Sequence, residues 1–320
     1  MPTEVDKEVD LYKVIRGLEK KVLNVQDLDR PCFVMNFPLS LSTDNPNNVW
    51  MQRMNPLKRL VDFPKAYKQW TSLYGFLSSL SLVYLLPSVE GYQDQVYVAN
   101  VGLVPPHLRR VVLLARYKSP PRRGEEYVAE KFFELLGFHA EHPKYDWEGE
   151  ADTKHIRDNI YVGGYGIRTD AMAYKWMYDE MDMEIIPIRM QDDFLYHFDC
   201  MFFPLNREEA LVCVELISDK EKQLLEKVVN IIPVSKEEAR QGMTNCVRVD
   251  KCVLCSSNIN DLKADNPEYE VERKKIDNLT RICLERGMEP VFFNLSEYEK
   301  SGAALSCLVM HLNRFSYAKK

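Results

Sequence analysis

Three polar runs of this chain carry groups that could cooperate in chemistry: Ser301-Gly302-Ala303-Ala304-Leu305-Ser306-Cys307, Tyr196-His197-Phe198-Asp199 and Trp147-Glu148-Gly149-Glu150. The first is a string of small residues that delivers a thiol. Its Gly and Ala allow a tight turn in which backbone comes close to another segment. A thiolate is a strong nucleophile once a cationic neighbour favours it over the thiol. An imidazole can protonate a leaving group and later deprotonate water. A carboxylate such as Glu148 can hold that imidazole in orientation. Asp199 shares a face with His197 if the segment is extended, and a forked carboxylate suits a guanidinium. Each residue also has a structural reading when taken singly. Cys307 could be a buried thiol at the start of a strand, His197 a satisfied core histidine, and Glu148 with Glu150 a solvated loop.

The elements that must carry these groups can be read from periodicity. Apolar residues at helical spacing mark helices over Asp6–Val22 and Pro64–Leu86, the latter stopped by Pro87. Glu125–Leu136, Thr169–Met181 and Asn266–Arg286 read as further helices, two of them stopped by Gly137 and Gly287. Ser218 with Glu221 and Ser235 with Glu238 fit capping boxes. Strands are expected at Cys32–Met35, at Val111–Leu114 and over Gln95–Val104, with an interruption at Asn100-Val101-Gly102. Helix-then-strand stretches followed by a polar loop occur three times, and those loops carry Glu148 and Glu150, then His197 and Asp199, then Cys307. This is a degenerate internal repeat, of the kind that stacks or circles αβ units.

Bulk properties narrow the function classes. The chain has 320 residues, 46% hydrophobic and 28% charged, with a formal net charge of −6. That charge disfavours nucleic acid and anionic membrane as partners. Phe76–Leu86, the most apolar stretch, is too short and Ser-rich to span a bilayer. An acidic N-terminus without an apolar segment points away from a secretory signal, and eight scattered Cys read as reduced thiols in a cytoplasmic compartment. Cys252-Val253-Leu254-Cys255 is a lone CxxC with only Cys246 nearby, so it reads as strand and core. His139, His142 and His155 lack metal-ligand spacing and read as surface or structural residues. Residues 1–30 are expected to form an N-terminal helical extension, and 31–320 a single catalytic domain. The sequence leaves a homo-oligomer open.

Taken together the runs resemble the guanidino-group-modifying superfamily, the pentein fold. Trp147-Glu148-Gly149-Glu150-Ala151-Asp152 resembles its Phe-Glu-Gly-x-x-Asp signature. Tyr196-His197-Phe198-Asp199-Cys200-Met201-Phe202 resembles its His-Leu-Asp-x-x-Phe segment, and the run to Cys307 its Gly-rich turn before the nucleophile. Asn48-Val49-Trp50-Met51 is similar to an Asn-Pro-Trp-Met of the arginine dihydrolase and dimethylarginine dimethylaminohydrolase-like branch. Asp94 to Val104 resembles that branch's Asp-x-Val-Phe-x-Ala-Asn-Ala-Gly-Leu-Val. Arg116, Arg123-Gly124-Glu125-Glu126 and Gly164 to Thr169 continue the match, which runs from about residue 32 to 312. The resemblance implies a fivefold pseudosymmetric α/β propeller. It implies Cys307 as nucleophile on a guanidinium carbon, His197 as acid and base, and Glu148 as its orienter. Asp199 would hold the guanidinium nitrogens with Asn48, Asp94 and Asn100 around them, and Arg116 and Arg168 would bind an amino-acid carboxylate.

The implied reaction is Cys-dependent hydrolysis of a guanidino compound, most simply arginine, through a covalent amidino-thioether. No metal or organic cofactor is required, because thiol, imidazole and carboxylates cover the chemistry. Dihydrolysis to ornithine and ammonia, deimination to citrulline, hydrolysis of a methylarginine, and amidino transfer to an amine all use the same groups. A catalytically inactive scaffold is the reading of another class; its mark, loss of Cys, His or Glu, is absent. Three positions depart from the pattern. Asn100 stands where deiminases and dimethylarginine hydrolases carry Asp, as it does in the dihydrolases, Ser301 replaces a Gly, and Val49 replaces a Pro.

Overall fold

The computed structural model describes residues 24–318. The helix expected over Asp6–Val22 lies outside them, and within 24–30 the chain forms a 3-10 turn at Val25–Asp27. The described chain builds five three-stranded sheets of one design. In each, an inner strand pairs antiparallel with a middle strand, which pairs parallel with an outer strand reached through a helix. The units are β3 (Gly102–Leu103), β4 (Val111–Leu114) and β5 (His139–Glu141); β6 (Thr153–Arg157), β7 (Ile160–Tyr165) and β8 (Glu184–Arg189); β9 (Phe202–Pro204), β10 (Glu209–Cys213) and β11 (Asn230–Val234); and β12 (Val247–Val249), β13 (Cys252–Ser256) and β14 (Glu289–Phe293). The fifth joins the two ends of the chain. Its inner strand β15 (Met310–His311) pairs antiparallel with β1 (Cys32–Asn36), which pairs parallel with β2 (Leu82–Leu86). The repeat read three times in the sequence therefore occurs five times.

Parallel pairing of middle and outer strands requires a crossover, and helices supply it. α1 (Phe63–Leu80) serves the fifth sheet, α2 (Glu125–Leu135) the first, α3 (Ala171–Met181) the second, α4 (Asp219–Leu225) the third and α5 (Pro267–Leu284) the fourth. Their apolar faces are packed: α1 buries Ala66, Trp70, Leu73 and Leu77, spaced as one helical face. Both capping boxes are present, Ser218 with Glu221 and Ser235 with Glu238.

Two expected elements differ. Pro64–Leu86 is not one helix: α1 ends at Leu80, Ser81 turns extended, and Leu82–Leu86 becomes β2 against β1. Leu82-Val83-Tyr84-Leu85-Leu86 continues the apolar run, so the helical period hid a strand whose ladder β1 supplies. Gln95–Val104 is not a strand either. It forms turns, a 3-10 helix at Val98–Asn100, and only then β3.

The short 3-10 helices are what position the chemistry. They precede the inner strands at Val98–Asn100, Gly149–Ala151, Phe198–Cys200 and Leu305–Leu308, and they pack against one another. The fit is tight. Gly149 has φ +70°, and a Cβ there would sit 2.6 Å from the Ala99 carbonyl oxygen. Glycine alone allows Glu148 and Asn100 to approach as they do. Cys252 and Cys255 are three apart on β13 and so face opposite sides of it. No group of three or more metal-ligating side chains occurs among the described residues.

Candidate active site

Tyr196-His197 ends a loop from β8, and the following 3-10 helix turns His197 inward, 5% exposed. Its Nδ1 lies 2.9 Å from Oδ1 of Asp152. The same oxygen accepts the backbone N–H of Phe198, and Asp152 Oδ2 accepts the Thr169 hydroxyl at 2.7 Å. Asp152 is thus fixed on three sides and sets the ring orientation of His197. Glu148, expected to be the orienter, approaches the other ring nitrogen: its Oε2 is 3.4 Å from Nε2. Asn100 Nδ2 is also on Nε2, at 3.1 Å. Two carboxylates therefore bracket one imidazole. A ring held in this way is oriented for proton transfer at Nε2.

Cys307 is 7% exposed and lies within the 3-10 helix Leu305–Leu308, not in the strand that follows. Its Sγ is 3.9 Å from Asp199 Oδ2 and 3.8 Å from Asn245 Nδ2. Ser306 locks this turn, donating its hydroxyl to Asp199 at 2.6 Å and its backbone N–H to Asn245 Oδ1 at 2.7 Å. The preceding small-residue run allows the close approach read from the sequence: a Cβ on Gly302, φ +75°, would meet Trp50 Cβ at 3.1 Å. Asn48 caps the short helix Val49–Arg53 and ties the run down, its Nδ2 donating to the Ser301 carbonyl at 2.8 Å.

Cys307, His197, Asn48, Asp94, Asn100 and Arg168 line one pocket of about 20 Å³, with Tyr97, Arg122, Tyr196 and Ser301 among its other walls. That is room for about one water. Glu148 and Asp199 sit directly behind this wall through His197 and Cys307. Arg168 spans Glu148 (3.3 Å) and the Asn47 carbonyl (2.7 Å), its guanidinium 5.0 Å from the Tyr196 ring centre.

Two of the residues from the sequence reading are placed elsewhere. The Arg116 side chain is 60% exposed and pairs with Asp146 at 3.5 Å, outside the pocket. What reaches the site from Arg116 is its backbone, bridged to Trp147 and so fixing Glu148 beside it. The buried arginine of that loop is Arg122, which pairs twice with Glu125 and donates to the Asp94 and Tyr97 carbonyls. Glu150, the partner of Glu148 in the motif, faces away toward His311 and Arg314. Asp152 and Arg122 were missed although both lie in runs that stood out. Asp152 closes the Glu-Gly-x-x-Asp signature, and Arg122 precedes Arg123-Gly124-Glu125. Asn245 carries no signal in the sequence.

Burial and charge set the protonation preferences. Burial, followed by the Asp199 charge, pushes the Cys307 thiol up to about 12. Glu148 is fully buried, which opposes its charge, yet Arg168, His197 and Arg122 outweigh this and hold it below the ordinary carboxylate range. Burial raises Asp94 in spite of Arg122 nearby, and it pushes Glu125 up to about 7. Burial and the Asp199 charge thus favour the thiol form of Cys307. A cation docking beside Asp199 would cancel the charge that opposes the thiolate.

A repeated α/β scaffold with a thiol, an imidazole and flanking carboxylates gathered at its inner turns defines the guanidino-modifying class. The chain belongs to the eukaryotic N,N dimethylarginine dimethylhydrolase family, which it matches over residues 37–314. That family is one of hydrolases acting on C–N bonds of amidines. The chain is 28% identical over 286 residues to a bifunctional arginine dihydrolase/ornithine cyclodeaminase of Nostoc sp., a match covering 88% of this chain but 37% of that protein. It therefore spans little more than a third of that relative's length. It is 26% identical to the N(G),N(G)-dimethylarginine dimethylaminohydrolase of Mycobacterium tuberculosis, over 88% of this chain and 85% of that one. In structure it resembles the substrate-bound N-terminal domain of a cyanobacterial arginine dihydrolase, with TM-score 0.77, 23% identity, and coverage of 89% of this chain and 98% of that domain. At that identity the likeness bears on fold. No helix among the described residues is long and apolar enough to cross a membrane.

Proposed function

We propose that the protein hydrolyses the guanidino group of arginine, in the manner of a dihydrolase. The observation that carries this reading is the pocket itself: Cys307, His197 and buried carboxylates meet at one side, and Arg168 and Arg122 stand in the same wall. A guanidinium needs the first set and an amino-acid carboxylate a cation such as Arg168, Arg122 being taken up by Glu125.

In the proposed reaction the Cys307 thiolate attacks the guanidinium carbon, and His197, protonated and balanced by Asp152 and Glu148, gives its proton to a departing nitrogen. The C–N bond breaks and ammonia leaves, with the carbon now bonded to sulfur. Neutral His197 then takes a proton from water, the hydroxide adds to that carbon, and the C–S bond breaks to return the thiolate. One round converts arginine and water to citrulline and ammonia. A second round on citrulline, with a second water, gives ornithine, carbon dioxide and a second ammonia. Asn100 on Nε2 of His197 supports the two-round reading, because a neutral amide there also suits the uncharged urea group of citrulline.

The test is product analysis by mass spectrometry with arginine, citrulline, agmatine and dimethylarginine as separate substrates. Ornithine with two equivalents of ammonia from arginine supports the proposal, and Cys307→Ser should abolish it with the fold retained. Citrulline as the final product would restrict the reaction to one round. Turnover of none of these compounds would overturn the hydrolase reading.

A further inference from the structure

Two hydroxyls in the pocket wall have no assigned work. Tyr97 and Ser301 both line the space in front of Cys307. Tyr97 is 5% exposed and Ser301 3%. Beyond each other, neither Tyr97 Oη nor Ser301 Oγ meets a hydrogen-bond partner in the protein. They neighbour each other, and the Tyr97 hydroxyl lies within the influence of both Asp94 and Cys307. Buried polar groups are ordinarily satisfied, and an unpaired one costs free energy comparable to a lost hydrogen bond. Two hydroxyls with no partner beyond each other, on residues in the wall of the cavity beside Cys307, leave acceptor capacity that a ligand can use. Both are additions to the resembling segments, which carry Phe at the position of Tyr97 and Gly at that of Ser301.

We propose that Tyr97 and Ser301 accept hydrogen bonds from the unsubstituted N–H groups of the substrate guanidinium and thereby select arginine over N-methylated arginines. The inference rests on the reading of the protein as a guanidine hydrolase and names its substrate class. A guanidinium presents only donors, and a hydroxyl can accept from one while its own proton turns aside. Because the two hydroxyls adjoin, one can donate to the other while both accept from substrate. The pair stands on the thiol side of the pocket, so the group it meets is the reacting one. An N-methyl group would remove a donor and set carbon against the hydroxyls. A site built to bond an N–H discriminates strongly against an analogue lacking it.

The experiment compares kcat/KM for arginine and for asymmetric dimethylarginine in the unmodified protein, Tyr97→Phe, Ser301→Ala and the double variant. Thermal melting checks that each is folded. The expected result is a preference for arginine in the unmodified protein that falls about ten- to hundred-fold in the double variant, chiefly through loss of arginine turnover. Ser301→Ala removes one hydroxyl without touching an aromatic, so it should show part of the effect even if Tyr97→Phe folds poorly. A selectivity ratio within about twofold of the parent in every folded variant would overturn the inference while leaving guanidine hydrolysis in place. Turnover of neither compound by the unmodified protein would overturn both.

Discussion

Replacing Asp152 by Asn separates the two carboxylates that contact His197. Asp152 Oδ1 is 2.9 Å from Nδ1, and Glu148 Oε2 is 3.4 Å from Nε2. Asn is isosteric with Asp, so Oδ1 can still accept from Nδ1 and from the Phe198 N–H. The amide nitrogen then faces Thr169 Oγ1, whose hydroxyl can turn to accept. The change therefore removes charge while leaving shape nearly intact. Unit charges 3–4 Å apart interact by roughly 4–5 kcal/mol at an effective dielectric near 20. Glu148 remains to balance part of the imidazolium, so about 2–4 kcal/mol of the barrier should be exposed. That is about thirty- to a thousand-fold in kcat. KM should move little, because Asp152 does not line the pocket. The assay is steady-state ammonia release from arginine, with melting temperature as a control. A folded Asp152→Asn protein with kcat within about threefold of the parent would refute the assignment of Asp152 as the positioning residue of His197.

The remaining predictions follow from the same geometry. With the thiol near 12, the thiolate fraction of Cys307 rises with pH throughout the accessible range. Its alkylation by iodoacetamide, followed by mass spectrometry, should accelerate about tenfold per pH unit from pH 7 to 10, and a plateau below pH 9 would contradict this. Arg116→Ala should leave kcat/KM for arginine within about twofold, since its ion pair with Asp146 is largely exposed. Arg168→Ala strips the partner from fully buried Glu148 and should cost about a hundredfold or more in the same assay. Lys275 is buried with its Nζ 2.6 Å from Glu272 and 2.8 Å from the Ser256 carbonyl. Lys275→Ala leaves that carboxylate buried without its cation, so urea unfolding should show a loss of about 3–5 kcal/mol.

The sequence made the repeat and the polar turns that carry His197 and Cys307 legible because each depends on local features. A Gly-stopped helix, an apolar strand and a polar turn each have a signature of a few residues. The boundary at Ser81 had none: helix and strand there share one apolar run, and only pairing with Cys32–Asn36 separates them. The same limit governed the site. Arg116 and Arg122 lie six residues apart in one basic loop, and no period indicates which is buried. The 3-10 turn Pro120–Arg122 carries Arg122 inward, where the Asp94 and Tyr97 carbonyls receive it. Asn245 touches Cys307 across 62 residues of chain, a contact made by the meeting of two units.

Repetition also explains how one scaffold gives one asymmetric site. The units offer different side chains from or beside their inner turns: Asn100, Asp199, Asn245 and Cys307. At the corresponding turn of the second unit, Glu150 is committed to His311 and Arg314. That unit instead supplies the residues flanking its turn, Glu148 before it and Asp152 after it, and both reach His197. The imidazole is therefore held by one unit and carried by another, while the thiol comes from a third. No single unit holds a working set, so catalytic competence depends on the contacts between the turns. Gly149 sits at one such contact, with no room for a Cβ against Ala99. A change that shifts neighbouring units by even a fraction of an ångström should then lower turnover before it lowers stability, because the bonds to His197 cross unit boundaries while each sheet's ladder does not.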